Sequence, residues 1–346
     1  MSWHIVFQEE KVIAKAYSGD YREYRIPGII SINNTLLFAF EGRNGEGERN
    51  LGDWGDIDVL VLRMEQGKEP VEVLRIGESH IPYDGTMRTY NNPTLIPDEH
   101  RVHLIYHKNY YNVYIITSED EGLTWSEPRE ITDVYKNFPL AWTCSATGPG
   151  HGIRMGNGRL VAPCWIGIGK MRKDGTLSHA PQVGGCLYSD DHGTTWNVGH
   201  LIPYPLDTSE PSVTQLSDGR LLFTYRNSHP DKRRVQAFSC DGGESLTAIT
   251  SPEALKDPQC FGALATCKDG VLFANCDSEN DRVNVSVKFS EDFGKTWTKV
   301  WDVDPIGGYI DMTVVNDDVY LFYERWIRKE NTVKELVLIK GTLFEN

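Results

Sequence analysis

Three features of this 346-residue sequence predict an all-β fold, namely a six-bladed β-propeller with four-stranded antiparallel blades. One motif recurs along the chain, six turn sequences each precede an apolar run, and long amphipathic helical patterns are absent. Repetition of this kind is typical of folds that are built as arrays of similar units. We expect all the units to form a single domain over residues 1–346.

The recurring motif reads Ser-x-Asp-x-Gly-x-Thr-Trp, and we call each copy a box. Three copies are complete and a fourth is looser: Ser118–Trp125, Ser189–Trp196, Ser290–Trp297 and Ser239–Ser245. The short polar side chains can hydrogen-bond to their own backbone, and the glycine can adopt positive φ. The motif therefore predicts a turn that builds the fold, followed by a strand that buries the tryptophan.

Six turn sequences predict six β-hairpins, because each is followed by a run of apolar residues. Their centres are Asn33, Asp98, Asn157, Asp218, Asp269 and Asp317. Successive centres lie 48 to 65 residues apart, and a four-stranded unit needs roughly 40–50 residues. Six such units that close radially give the predicted propeller.

Composition and charge exclude several classes of function. The formal net charge of -14 argues against nucleic acid, because a polyanion requires basic surface. No apolar run is long enough for a signal peptide or a membrane span, which favours a cytoplasmic location unless a leader was removed. Phosphate loops, calcium loops and His/Cys clusters are absent, so we expect no cofactor, no metal and no obligate protein partner.

Polar residues recur at the open ends of the hairpins, opposite their turns. Because strands rise about 3.3 Å per residue, positions equally far from the turns lie at one rim. The residues at these positions are Arg25, Asn92, His151, Glu210, Tyr309, Arg43, Trp165, Arg226 and Glu324. The set predicts a functional site at one mouth of the central channel, with a charged ring on an unrelated propeller as the alternative.

Three arginines predict that this site binds an anion. Arg25 begins the first hairpin, Arg226 ends a strand, and Arg282 opens a strand with alternating valines. Guanidinium groups are planar, permanently charged forks that suit a carboxylate. Without a partner they repel one another, so we expect a carboxylate such as that of Glu324, or a bound anion, among them. Any one of the arginines taken alone favours an ordinary surface ion pair over a functional role.

The sequence resembles the exo-α-sialidases, or neuraminidases, with Asp-box (BNR) repeats. Besides the boxes, the likeness rests on Tyr24–Pro27, Thr147–Ile153, Ser209–Val213 and Tyr225–Asn227. It extends from about Tyr24 to about Glu324, which is almost the whole chain. The resemblance implies a retaining hydrolase of terminal α-linked sialic acid, with sialylated glycans or free sialosides as its partners.

The resemblance also implies which residues bind the substrate. Arg25, Arg226 and Arg282 match the residues that hold its carboxylate. Glu324 matches the residue that steadies the first arginine, and Arg43 matches a further arginine nearby. Asn92 is a weaker match to a substrate contact, and Trp165 stands where we expect an aromatic residue lining the pocket for the substrate's side chain.

The catalytic residues follow from the same resemblance. Tyr309 falls on the nucleophile, Glu210 on its general base, and Asp53 on the acid/base in the loop after the first hairpin. Sialidases use a tyrosine nucleophile, and a neutral phenol avoids repulsion by the carboxylate on the anomeric carbon. As the acid, Asp53 must be protonated in the first step, so we expect a raised pKa for Asp53.

Alternatives to these assignments stay open. A related nonulosonic acid (Kdn, pseudaminic or legionaminic acid) fits the same core, and a trans-sialidase is a minor option. A non-catalytic propeller that binds sialoglycans needs the arginines but no nucleophile, base or acid, so their presence favours an enzyme. Residues that compete for the acid and nucleophile roles are Asp56, Asp58, Tyr320 and Tyr323. We expect His151 to satisfy backbone groups.

Overall fold

The computed structural model describes residues 2–44, 52–78, 88–170, 178–203, 206–327 and 332–345. Within these ranges the chain forms 25 strands and one short 3₁₀ helix, Thr132–Asn137. The prediction of an all-β fold is therefore confirmed. No helix in the same ranges is long and apolar enough to cross a membrane.

The strands fall into five groups along the chain. The first group follows strand β1 (Trp3–Lys15) and contains β2 (Glu23–Ile32), β3 (Thr35–Asn44), β4 (Asp56–Glu65) and β5 (Val71–Ile76). The second contains β6 (Tyr90–Asp98), β7 (Arg101–Lys108), β8 (Asn112–Ser118) and β9 (Arg129–Glu130). The third contains β10 (Cys144–Thr147), β11 (Gly150–His151), β12 (Ile153–Arg154), β13 (Leu160–Gly167), β14 (Gln182–Ser189) and β15 (Asn197–Leu201). The fourth contains β16 (Thr208–Gln215), β17 (Leu221–Asn227), β18 (Val235–Ser239) and β19 (Ala248–Thr250), and the fifth contains β20 (Ala263–Cys267), β21 (Gly270–Cys276), β22 (Val283–Ser290), β23 (Thr298–Val315), β24 (Asp318–Ile327) and β25 (Thr332–Glu345).

Each of the first four groups forms its own antiparallel sheet. The strand orders are β2-β3-β4-β5, β6-β7-β8-β9, β10-β13-β14-β15 and β16-β17-β18-β19. Strand β12 also pairs with β13, and the short β11 pairs in parallel with β6. Strand β11 of the third group is thereby hydrogen-bonded to β6, the first strand of the second group.

The fifth group forms one seven-stranded sheet in the order β1-β25-β24-β23-β22-β21-β20. The reason is β23, a strand of 18 residues. Its first half pairs with β22 as far as Ile306, and its second half pairs with β24 from Gly307 onward. One long strand therefore joins two four-stranded units, and β1 forms the outer edge of the second. The described residues thus form five sheets, whereas the sequence analysis predicted six separate units.

All six predicted hairpins are present. In the first, Ile32 pairs with Thr35 and leaves Asn33 and Asn34 in the turn. Asn33 has a positive φ of 49°, a conformation that asparagine tolerates better than most residues. The other hairpins close at or beside the predicted turn residues Asp98, Asn157, Asp218, Asp269 and Asp317.

Apolar side chains from neighbouring sheets pack together and form the core. Between the first and second sheets, Leu37 and Val59 pack with Leu95 and Leu104. All four are 0 % exposed. Removal of such apolar surface from water is the main driving force for folding. The first three strands of the units therefore supply the contacts between these two sheets.

Each box forms the same hydrogen-bonded turn after the third strand of its unit. In the first box the Ser118 hydroxyl donates to Asp120 Oδ1 at 2.8 Å and accepts from the Gly122 amide at 2.8 Å. Asp120 also accepts from the backbone and the hydroxyl of Thr124, at 2.8 and 2.7 Å. The other boxes repeat these bonds. The predicted structural role of the boxes is therefore confirmed.

The boxes also join neighbouring units. Gly122 and Gly193 have positive φ and lie so close to Leu37 and His103 of the preceding unit that a Cβ would come within 2.7–2.8 Å. In every box a side chain of the preceding unit donates to a box carbonyl: Arg63 to Glu121, Arg129 to Gly193, Arg159 to Asp241 and Gln236 to Gly294. The glycine of the motif is thus required for close approach as well as for the turn.

The first strands of the units face one another. Ser31 Oγ lies 3.1 Å from Thr313 Oγ1, and Thr214 Oγ1 lies 2.8 Å from Thr266 Oγ1. The first of these contacts links β2 with β23, near opposite ends of the chain. The site residues on these strands are therefore brought to one region.

Candidate active site

The first strands carry the site residues at β-bulges. The registers of β2, β6, β16 and β23 each shift near the start of the paired region. Ile26, Asn92 and Glu210 adopt positive φ values of 60°, 51° and 34° there, which are uncommon for residues with a side chain. Because a bulge bends its strand and re-aims a side chain, these irregularities turn Glu210 and Tyr309 toward each other.

Tyr309, Glu210 and Arg226 form a hydrogen-bonded triangle. The Tyr309 hydroxyl donates to Glu210 Oε1. Arg226 Nη1 donates to Glu210 Oε2 at 2.9 Å and to the Tyr309 oxygen at 2.8 Å. A carboxylate that accepts from a hydroxyl is the arrangement of a nucleophile with its base, and the arginine adds a positive charge at the oxygen.

The phenol of Tyr309 is protonated in this arrangement. Burial and the nearby Glu210 carboxylate raise the pKa of Tyr309 well above its ordinary value. Arg226 and Arg282 act in the opposite direction but do not outweigh them. The phenol therefore keeps its proton and donates it in a hydrogen bond to Glu210.

Arg25, Arg226 and Arg282 converge on Tyr309. The guanidinium carbons of Arg25 and Arg282 lie 5.5 and 5.1 Å from the centroid of the Tyr309 ring, while Arg226 contacts the phenol oxygen. Arg25 and Arg226 each pair with a carboxylate. Arg282 forms no ion pair with any described residue, and its Nη2 donates to the Gln259 carbonyl at 3.2 Å. The cluster is therefore equipped to bind a further anion.

Glu324 holds Arg25 as the sequence analysis expected. Its two oxygens accept from Arg25 Nε at 3.1 Å and Nη2 at 3.3 Å. The same carboxylate accepts from the backbone amides of Ile26 and Tyr309, each at 3.1 Å. Glu324 is 0 % exposed, so one buried carboxylate orients an arginine and satisfies two bulge amides.

Glu41 holds Arg43 in the same way that Glu324 holds Arg25. It accepts from Arg43 Nε at 2.9 Å and Nη2 at 2.6 Å, and from the Asn92 amide at 2.9 Å. Arg43 in turn donates to Asp53 Oδ1 at 3.3 Å. Arg43 is 1 % exposed, whereas the Asp53 side chain is 49 % exposed. A buried Glu–Arg pair therefore fixes the loop carboxylate at the edge of the site.

The pKa of Asp53 is lowered in the ligand-free protein, whereas the raised pKa expected for the first chemical step concerns the substrate-bound protein and stays a prediction. Burial acts to raise the pKa of this carboxyl, but Arg43 and Arg25 outweigh burial and lower it to about 2. Asp53 is therefore ionised until something offsets their charge.

The structure places Asn92 and His151 in contact with other protein groups. Asn92 is 5 % exposed, and its Oδ1 accepts from Asn91 at 2.9 Å. His151 Nδ1 lies 2.8 Å from the Asp311 carboxylate, so the expectation that His151 satisfies backbone groups is wrong. Asp311 is fully buried on the facing first strand, and that neighbour could not be identified from the sequence.

Trp165 lies under other aromatic side chains. It is 2 % exposed, and its ring centroid lies 6.1 Å from that of Tyr110 and 5.5 Å from that of His179. Trp54, next to Asp53 in the chain, packs against the same group with its ring centroid 4.8 Å from that of Tyr110. Trp165 thus forms the floor of an aromatic cluster beside Asp53, and its role as a pocket lining stays a prediction.

Two site residues were missed by the sequence analysis. Glu41 and Trp326 each lie two positions from a predicted site residue on the same strand, beside Arg43 and Glu324 respectively. Residues two apart on a strand face the same side, and this signal could have identified both. Among the described residues no three His, Cys, Asp or Glu side chains are grouped so as to hold a metal ion.

The sequence profile of the BNR repeat-like domain family matches residues 34–321. The sialidase of Micromonospora viridifaciens is 26 % identical over 358 aligned residues, covering 92 % of this chain and 52 % of the relative. Sialidase-4 of Mus musculus is 32 % identical over 244 residues, covering 64 % of this chain and 49 % of the relative. This chain thus spans about half the length of these curated relatives.

Among solved structures, a Hadza microbial sialidase matches 97 % of this chain and 68 % of its own, with a TM-score of 0.76 and 21 % identity. Trypanosoma rangeli sialidase in complex with the inhibitor DANA matches 98 % of this chain and 59 % of its own, with a TM-score of 0.70 and 15 % identity. These similarities concern the fold.

The fold and the site together define a box-repeat β-protein with a cluster of arginines around a tyrosine and a glutamate. The profile match adds the family to which such a protein is assigned. The chain belongs to the BNR repeat-like domain family, and the curated relatives that it matches are sialidases.

Proposed function

We propose that this chain is a retaining exo-α-sialidase that hydrolyses terminal α-linked sialic acid from glycoconjugates. The observation that carries the proposal is the contact of the Tyr309 phenol with both Glu210 and Arg226, with Arg25 and Arg282 beside its ring. The similarity to curated sialidases supports the reaction class.

Substrate binding depends on the three arginines. The carboxylate of a sialic acid is attached to the anomeric carbon, so a site that clasps this carboxylate also positions the reacting carbon. Arg282, which has no ion-pair partner among the described residues, is available for it, and Arg25 and Arg226 are held in place by Glu324 and Glu210. Fixed guanidinium groups reorganise little during the reaction, which makes them effective in stabilising charge.

The first chemical step is attack by the Tyr309 oxygen on the anomeric carbon. Glu210 takes the phenol proton as the bond forms, because the hydroxyl already donates to it. The neutral phenol approaches without the repulsion that an aspartate or glutamate would meet at a carbon bearing a carboxylate. The product is a covalent glycosyl-tyrosine, and the second step releases it to water with net retention of configuration.

Asp53 protonates the leaving oxygen and then activates the water. In the ligand-free protein Arg43 and Arg25 keep this carboxyl ionised. A bound substrate carboxylate offsets part of their positive charge, and its body covers the exposed side of Asp53. Both changes raise the pKa of Asp53, so the acid acquires its proton when substrate is present.

The same proposal extends to the complete fold, a six-bladed propeller. It is supported by the division of the seven-stranded sheet within β23 and by the hydroxyl contact between β2 and β23, which brings the first and last units together. Similarity to the fold of sialidase structures supports it as well. The single domain over residues 1–346 and the cytoplasmic location stay predictions.

Fluorophore release from the methylumbelliferyl glycosides of sialic acid, Kdn, pseudaminic and legionaminic acid tests the proposal. We expect hydrolysis of the sialic acid glycoside, a first-formed α anomer by proton NMR, and a rate at least about a thousandfold lower for Tyr309→Phe. Tyr320→Phe, which changes a strand tyrosine outside the triangle, is the matched control. No hydrolysis of any glycoside, or full activity of Tyr309→Phe, would refute the assignment.

A further inference from the structure

A cavity of about 760 Å³ opens beside Arg282 at the same rim as the candidate site. Its lining includes Asn280 and Asp281 from the loop before β22, Ile306 from β23, and Trp326 near the end of β24. We call it the Trp326 cavity. Its volume lies within the range of roughly 300–1,000 Å³ that is usual for ligand sites, and Arg282 is the one residue of its lining that the proposed mechanism uses.

The cavity shares a wall with the arginine cluster. The guanidinium carbons of Arg25 and Arg282 lie 5.6 and 5.5 Å from the Trp326 ring. The Trp326 indole donates to Glu324 at 3.1 Å, so the ring is fixed by the same carboxylate that orients Arg25. A ligand in the cavity therefore lies next to any carboxylate that the arginines hold.

The chemistry of the substrate determines what occupies this place. In a sialoside the anomeric carbon carries both the carboxylate and the glycosidic oxygen. The first sugar of the leaving group therefore begins two bonds from the carboxylate carbon, and its ring extends past the arginines. Ile306 and Trp326 offer apolar surface to the carbon face of a sugar, and Asn280 and Asp281 offer polar groups to its hydroxyls.

Asp281 gives the cavity a charge preference. The loop before β22 holds three acids, two of which are paired: Asp277 with Lys288 at 3.1 Å and Glu279 with Arg233 at 3.0 Å. The exposed carboxylate of Asp281 forms no ion pair with any described residue. Arg282 also lines the cavity, but in the proposed complex its charge is offset by the carboxylate of the substrate. The unpaired carboxylate of Asp281 then accepts hydrogen bonds from neutral sugar hydroxyls and repels an anion within about 8 Å at physiological salt.

We propose that the Trp326 cavity binds the leaving-group sugar and that Asp281 selects a neutral hexose over an acidic sugar there. The inference rests on the proposed function and adds a specificity-determining residue to it. A sialic acid linked to lactose is accordingly a better substrate than a sialic acid linked to a second sialic acid, because the second carboxylate faces Asp281.

The test compares kcat/KM for sialyllactose and for the α-linked dimer of sialic acid at low ionic strength. The ratio of dimer to sialyllactose activity rises about fivefold in Asp281→Asn, which removes the charge, and about twentyfold in Asp281→Lys, which reverses it. Salt at about 0.5 M reduces both effects. Asp269→Asn, an acid-to-amide change in a hairpin turn far from the rim, leaves the ratio and the activity at their wild-type values.

A second variant tests the cavity independently of charge. Ile306→Trp fills it, and we expect kcat/KM for sialyllactose to fall at least about tenfold more than kcat/KM for the methyl glycoside, whose leaving group has no ring. Unchanged ratios in all three variants, with sialosides still cleaved, would overturn the subsite alone. A wild-type protein that cleaves no sialoside would overturn the subsite together with the proposed function.

Discussion

Replacement of Glu324 by glutamine tests how strongly the site depends on one buried carboxylate. The two oxygens accept five hydrogen bonds, from Arg25 Nε and Nη2, the amides of Ile26 and Tyr309, and the Trp326 indole. Glutamine has one accepting oxygen, and its NH₂ group faces donors. At least two buried donors lose their partner, each at about 1–3 kcal/mol, and Arg25 loses its counter-charge.

We expect Glu324→Gln to lower the free energy of unfolding by about 3–5 kcal/mol, the usual result of breaking a buried ion pair. Urea unfolding at pH 7, followed by tryptophan fluorescence, measures it. Glu119→Gln is the matched control, because Glu119 pairs with Arg101 at 2.8 Å but its side chain is 66 % exposed. A surface pair of that kind contributes about 0–1 kcal/mol.

The effect also depends on pH in a defined direction. Burial raises the pKa of Glu324, but Arg25 and Arg282 outweigh burial and lower it. A carboxyl with a lowered pKa in the folded state stabilises the fold above its unfolded pKa of about 4.3 and loses that contribution as the pH falls further. The difference in free energy of unfolding between wild type and Glu324→Gln therefore becomes smaller as the pH falls below about 4.3. A loss below about 1 kcal/mol at pH 7, or a difference independent of pH, would refute the reasoning.

Two further predictions concern Asp53 and the boxes. The pKa of the Asp53 carboxyl, about 2 in the free protein, rises when a sialic acid analogue binds. Carbon-13 NMR titration with and without the analogue measures this rise. An unchanged pKa would contradict the proposed origin of the acid's proton. In the second box, Asp191→Ala removes the bonds to Ser189 and Thr195 at 2.7–2.9 Å. We expect it to lower the free energy of unfolding by about 2–3 kcal/mol, whereas Asp302→Ala, at an exposed surface pair, has an effect below about 1 kcal/mol; equal losses would argue against the structural role of the box.

Local patterns in the sequence were sufficient to predict the hairpins and the boxes. The turn at Asn33 and the bonds of Asp120 depend on residues within a few positions of each other, so composition and spacing determine them. The pairing of Arg25 with Glu324 is long-range, yet it followed from the resemblance, since both residues matched the family's pattern. The sequence therefore predicted the hairpins, the boxes and the pairing of Arg25 with Glu324, but not the parts of Glu41 and Trp326.

The remaining features depend on contacts that no local pattern encodes. Strand β23 continues across two units and changes its pairing partner at Gly307, where a Cβ would come within 2.4 Å of Val285. The bulge at Tyr309 depends on the Glu324 carboxylate of the neighbouring strand, which accepts from the Tyr309 amide. Likewise, the low pKa of Asp53 comes from the summed field of Arg43 and Arg25, which only their separation in space determines.

The most direct test of the central claim is to trap the covalent intermediate. A difluorosialic acid reacts with the nucleophile and slows the second step, and tryptic digestion then yields the peptide Val300–Arg325, which contains Tyr309 together with Tyr320 and Tyr323. We predict that fragmentation by mass spectrometry places the sugar on Tyr309. A sugar on either of the other tyrosines, or on Glu210 or Asp53, would contradict the account.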